Sequence, residues 1–146
     1  MFVTKRDGSK QAYDVTKIQK LTAFAVQGLD VSHSELEANM HLKIFDGIKT
    51  TDILDAQIIS AGELISMKCP QATFAAARLL LVKVYSEIYD KRLLPEEKDI
   101  GVIYRQHTLR DYLSIAVPHG QINPVLLDYD LDALQAAIEP ENDLRF

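Results

Sequence analysis

A short alternating run, broken by Asp7-Gly8 and followed at once by a helix start, constrains this chain more than any other feature. Val3-Thr4-Lys5-Arg6-Asp7-Gly8-Ser9 leads through Gln11-Ala12-Tyr13 to Asp14, a good N-cap for a helix carrying Lys17 and Ile18. An Asp-Gly pair between two short strands predicts a tight β-hairpin, because glycine accepts the positive φ that such turns demand. Lys5 and Arg6 are placed on the first strand and Lys17 one turn into the helix. The cations then gather near a helix N-terminus, where unpaired amides and the helix dipole favour anions. From the residues alone two readings stand: a phosphate-binding corner, or ordinary cations on an exposed hairpin.

Helical patterning continues. The first helix puts Ile18, Leu21, Ala25 and Leu29 on one face, and Gly28 is placed to end it. Ser32 and Glu35 predict a capping box, with Val31 stapled onto Leu36; Leu36, Met40 and Ile44 form the next stripe, closed by Gly47. Thr51 reads as the N-cap of a third helix bearing Ile53, Gln57, Ile58, Ala61, Leu64 and Ile65. Pro70 begins a fourth, in which Phe74, Ala77, Leu81, Val84 and Ile88 repeat. The predicted class is mostly α, a short hairpin over a four-helix bundle. A charged, proline-punctuated stretch from Asp90 to Lys98 reads as a junction. Shorter helical runs come after it at Ile100–Thr108, Leu109–Ala116, Pro124–Leu127 and Leu131–Ile138. The expected division is a domain over 1–90 and a helical connector over 91–146.

Composition narrows the function classes. The net charge of −5 over 146 residues argues against a general nucleic-acid binder, though a local cationic pocket remains compatible with it. No apolar run approaches the ~20 residues that span a bilayer. The N-terminus lacks a secretory stretch, so cytoplasmic residence is the expectation. Cys69 is the single cysteine, which excludes an internal disulfide and a cysteine-based metal site. His33, His41, His107 and His119 show no ligand spacing, and Asp128, Asp130 and Asp132 read as a solvated face, lacking the glycine and glutamate of an EF-hand loop. Tyr85, Tyr89, Tyr104 and Tyr112 are expected to pack. The stripe Ile103, Leu109, Leu113 and Ile115 is expected to form an interface that would be exposed alone and favour self-association.

The run VTKRDGSKQAYDVTKI resembles the opening of an ATP-cone, the nucleotide-sensing domain at the N-terminus of many ribonucleotide reductase large subunits. Phe45-Asp46-Gly47-Ile48-Lys49-Thr50-Thr51-Asp52-Ile53 and Ala76-Ala77-Arg78-Leu79 are similar to the second and third recognisable segments of that domain. The stretch from Tyr89 to Phe146 resembles the segment C-terminal to the cone in class I subunits of bacterial and phage type, so the resemblance covers the chain. It implies the front end of a larger oxidoreductase that supplies deoxyribonucleotides for DNA replication. Family catalysis uses several cysteines far downstream, so this chain with Cys69 alone is expected to be inert by itself.

Carried over residue by residue, the resemblance implies that Lys5, Arg6 and Lys17 face the phosphates and that Thr50 helps hold them. Gln11 stands where a glutamate commonly bonds the adenine, Asp14 where Asn or Asp reads the base, and Val3 and Ile18 supply apolar contact to the ring. Two positions depart: Leu54 replaces a family histidine, and Ser86 a family lysine that contacts phosphate. Lys83, three residues earlier, is the candidate substitute. The implied effector is ATP or dATP, with or without Mg2+, controlling activity through assembly state. The implied partners are the remainder of the large subunit and the radical-generating small subunit, with no nucleic acid and no membrane. The alternative is a vestigial cone that serves as a docking module and binds no nucleotide. A repressor carrying the same domain is excluded, because its cysteine-rich zinc ribbon has no counterpart here.

Overall fold

The computed structural model describes residues 1–88, 107–139 and 142, which fall into two compact units, residues 1–88 in the first and 107–139 in the second. The junction expected at 90–98 and all but the last two residues of the helical run expected at Ile100–Thr108 lie outside the described residues, as do Tyr89, Ile103 and Tyr104; His107 and Thr108 are not helical.

The first unit opens on the hairpin. Strand β1 (Phe2–Thr4) pairs antiparallel with β2 (Lys10–Ala12) in the register Phe2–Ala12, Val3–Gln11 and Thr4–Lys10. The turn is wider than expected. The Gly8 amide donates to the Lys5 carbonyl (3.0 Å) and the Lys5 amide to the Ser9 carbonyl (2.8 Å), with Gly8 at φ +83. Asp-Gly thus closes a four-residue turn instead of forming the whole of a two-residue one, and Lys5 and Arg6 belong to the loop, not to the strand. The Asp7 carboxylate locks it by accepting from the Ser9 amide (2.9 Å) and hydroxyl (2.6 Å). These bonds, the hydroxyl's first, hold Asp7 below its ordinary pKa of 3.8. A depressed carboxylate contributes stability above its unfolded pKa and loses it as pH falls through the folded one. The Ser9 amide resonance is therefore expected to titrate with a midpoint below 3.8, and this step is expected to vanish in Asp7→Asn.

Helix α1 (Val15–Val26) starts where Asp14 accepts from the Thr16 amide (3.0 Å), and it buries Ile18, Leu21, Thr22 and Ala25. Gly28 follows its end at φ +72, which places the half-buried Leu29 beyond the helix. Arg78 donates to the Ala25 (3.2 Å) and Gln27 (2.7 Å) carbonyls. Charge-assisted bonds to a helix C-terminus satisfy orphan carbonyls and oppose the negative end of the dipole. Arg78→Met is expected to cost about 1–3 kcal/mol in urea unfolding.

Helix α2 (His33–His41) is capped by Ser32, which accepts from the Glu35 amide (3.2 Å), and buries Leu36 and Met40 with Val31 beside them. It stops before Ile44 and Gly47. Helix α3 (Thr50–Glu63) has Lys49, not Thr51, as its N-cap. Lys49 forms a parallel bridge with Thr4, which fixes it as the last extended residue and draws Thr51 into the first turn. Helix α4 (Ala72–Ile88) begins two residues after Pro70 and buries Ala72, Ala75, Leu79, Val82, Tyr85 and Ser86. Most of the stripe read from periodicity faces outward: Phe74, Val84 and Ile88 are 43%, 41% and 64% exposed, while Ala77 and Leu81 are half-buried.

Two core clusters result. One joins Leu21, Ala25, Leu36, Leu54, Ala61, Ala75, Leu79 and Val82 across the helices. The other, under the hairpin, joins Val3, Ile18, Met40, Ile48, Ile53 and Ala56, with Tyr13 and Ile44 against it.

In the second unit, α5 (Leu109–Ala116) carries a full capping box between Thr108 and Asp111. A 3-10 helix (Pro124–Asp128) and α6 (Leu131–Ala136) come next; α6 ends before Ile138, and Asp130 serves as its N-cap. The Leu109 amide donates to the Gln135 side chain, and Leu113, Ala116 and Leu131 are buried. Leu113 is therefore core, while Ile115 (65% exposed) and Tyr112 face outward. Among the described residues no helix is long and apolar enough to cross a membrane.

Candidate functional site

A pairing with no local sequence signal builds the site. After α2 the chain runs beside β1. The Phe2 amide donates to Asp46 Oδ1 (2.6 Å), the Gly47 amide to the Phe2 carbonyl (2.8 Å), and the Thr4 amide to the Ile48 carbonyl (2.9 Å). Gly47 takes φ +84 as the chain joins this edge, a conformation that strains any residue with a Cβ. The segment delivers Thr50 and the first turn of α3 to the hairpin loop. No side chain caps α3, so its N-terminal dipole faces that region without a capping carboxylate or hydroxyl.

Two neighbouring cavities open there. The first, about 310 Å³, lies between the loop residues Lys5, Arg6 and Asp7, the α3 residues Thr50, Thr51 and Leu54, and the α4 residues Lys83, Ser86 and Glu87. The second, about 290 Å³, has an apolar floor of Val3, Ile18 and Ile53 and a polar rim that includes Gln11, Asp14 and Lys17. Lys5 and Thr50 line both. All nine candidate residues thus border one cavity or the other: Val3, Gln11, Asp14, Lys17 and Ile18 the second, Arg6 and Lys83 the first, and Lys5 and Thr50 the shared wall.

The charges divide in the same way. Lys5 and Lys17 are exposed and make no ion pair among the described residues. The Arg6 guanidinium donates to the Ser86 carbonyl (3.4 Å), anchoring the loop against α4. Lys83 Nζ contacts Asp55 Oδ1 at 2.6 Å, and that hydrogen bond is the first cause of a pKa raised above 10.5. Asp14 uses its carboxylate to cap α1, so any contact with a ligand would share that group. In the second cavity the wall residue Tyr13 has a buried hydroxyl, and burial, then Glu37, push its pKa above 10.0.

Leu54 and Ser86, the two positions at which the resemblance departs, both line the first cavity. Leu54 is 5% exposed and belongs to the main core cluster, and the Ser86 hydroxyl donates within its own helix to the Lys83 carbonyl (2.9 Å). Neither presents a charge to the cavity. Sequence reading missed Asp55, Thr51, Asp7 and Glu87. Asp55 and Lys83 lie on different helices with no periodicity to link them. The described residues contain no cluster of three or more His, Cys, Asp or Glu able to hold a metal.

No protein-family model matches the chain. It is 36% identical over 119 residues to ribonucleoside-diphosphate reductase 1 subunit alpha of Escherichia coli, an alignment covering 77% of this chain and 16% of that protein. It is 34% identical over 146 residues to the corresponding alpha subunit of Helicobacter pylori, covering 99% and 17%. The alpha subunit of Enterobacteria phage T4 is 28% identical over 148 residues, covering 99% and 18%. The chain spans less than a fifth of the length of these relatives.

Proposed function

The chain belongs to the family of ribonucleoside-diphosphate reductase alpha subunits, and on that premise we propose that it is the nucleotide-sensing N-terminal portion of such a subunit, an ATP-cone with its connector. The observation that carries this reading is the convergence of residues from the hairpin, α1, α3 and α4 on two contiguous cavities that share Lys5 and Thr50. One cavity has the apolar floor and hydrogen-bonding rim that suit a base and sugar; the other has the cations that suit a polyphosphate. A nucleoside triphosphate lying across Lys5 would use both.

ATP and dATP differ by the 2′-hydroxyl, which contributes ~1 kcal/mol of net hydrogen bonding when well placed. A nucleotide changes assembly only by binding one assembly state better than another, and a coupling of ~1–3 kcal/mol is ordinary for such regulation. The partners on this reading are the remainder of the large subunit and the radical-generating small subunit. The outward Tyr112, Ile115, Val125 and Tyr129 of the second unit would be covered by the former. The segment itself performs no reduction.

A second reading has its own support. Leu54 and Ser86 present no charge, and Lys83 is engaged by Asp55, features that favour a docking module without ligand. Isothermal titration with ATP and then dATP separates the two. The sensor is expected to show saturable binding to each, with a raised melting temperature. No heat at millimolar nucleotide and no thermal shift would reject it in favour of the docking module.

A further inference from the structure

We propose that Asp55 is a built-in counter-anion of the polyphosphate cavity, holding Lys83 and competing with an incoming phosphate chain for that ammonium. The inference rests on the nucleotide-site reading above and names a residue that sets its affinity. Lys83 lines the cavity from α4, and Asp55 reaches it from α3 at 2.6 Å. Their side chains are 33% and 42% exposed, so the pair is open to exchange with a solvent-borne anion.

Charge on the wall makes the competition matter. Lys5, Arg6 and Lys83 stand against Asp7 and Glu87, which also line the cavity, and against Asp55. Three cations and two carboxylates line the cavity, and Asp55, which clasps Lys83 from outside that lining, offsets the remaining charge. Asp52 and Glu87 also act on Lys83 and, with Asp55, favour its charged form. The ammonium is thus retained as a cation and withheld by a partner. Neutralising Asp55 leaves one positive charge in excess and releases the one lysine placed to substitute for the family lysine at Ser86.

The test is titration of the 146-residue chain with sodium tripolyphosphate, and separately with ATP, at fixed ionic strength. Asp55→Asn is expected to bind both roughly five- to tenfold more tightly than wild type. Glu87→Gln, which removes a cavity carboxylate without freeing Lys83 from its clasp, is expected to gain no more than about twofold. In a Lys83→Met background the Asp55→Asn gain is expected to disappear. Unchanged affinity in Asp55→Asn, an equal gain in Glu87→Gln, or a gain that persists without Lys83 would each overturn the proposal. Binding by wild type with no gain in Asp55→Asn refutes the counter-anion and leaves the sensor standing. Binding only in Asp55→Asn does the reverse: the clasp holds, and the unmodified chain is not a sensor. Silence in both wild type and Asp55→Asn, each shown folded by its thermal transition, removes both.

Discussion

Lys5→Ala/Lys17→Ala is expected to weaken ATP binding by at least about a hundredfold while leaving the unfolding transition where it is. The two halves of that result come from different parts of the structure. Charge-assisted hydrogen bonds to phosphate contribute roughly 1.5–3 kcal/mol each when well formed, and loss of two such bonds multiplies to a factor of hundreds. Lys5 sits on the wall shared by the two cavities and Lys17 on the rim of the second, so both border the path of a ligand that crosses from one cavity to the other. Both side chains are exposed and neither makes an ion pair among the described residues, so their removal takes nothing from the core. Arg6 would be a poorer probe, because its guanidinium also donates to the Ser86 carbonyl and its loss would loosen the loop. Wild-type affinity in the double variant, measured by the same titration, would place the nucleotide elsewhere.

Local physics makes much of the scaffold legible in the sequence. Asp14 caps α1, Gly28 follows its end in the left-handed region, and Ser32 caps α2, each through side-chain or glycine chemistry within a few residues. Asp7-Gly8 marks the hairpin, but the width of its turn depends on the Ser9 bonds to Asp7, which shift Lys5 and Arg6 off the strand. The start of α3 departs from its local reading for a reason that lies outside its own sequence, since Lys49 is held extended by Thr4, 45 positions away. The site residues on the hairpin and α1 are within reach of local reading because one short segment carries them. Asp55 is not, because its significance comes from a lysine on another helix.

The fourth helix supplies the sharpest stability test, because its sequence is apolar on more than one face and periodicity alone selects the wrong one. Leu79→Ala is expected to cost about 3 kcal/mol, within the range for a leucine removed from a packed core. Leu79 has no exposed surface and packs in the cluster with Leu21, Leu36, Leu54 and Val82, so truncation leaves a cavity that several elements would have to close. Phe74→Ala deletes a larger side chain, yet Phe74 is 43% exposed and absent from that cluster, so a loss of no more than about 1 kcal/mol is expected. The buried positions agree with this rotation: Ala72, Ala75, Leu79, Val82 and Ser86 repeat at three and four along α4, and Phe74, Val84 and Ile88 fall away from that face. Urea unfolding of the two variants reads the difference directly, as a large shift in midpoint for Leu79→Ala and a small one for Phe74→Ala at similar slope. A reversed order would mean that α4 packs through the Phe74–Val84–Ile88 stripe. Lys83 and Ser86 would then turn away from the hairpin loop, and the polyphosphate cavity would lose its α4 wall.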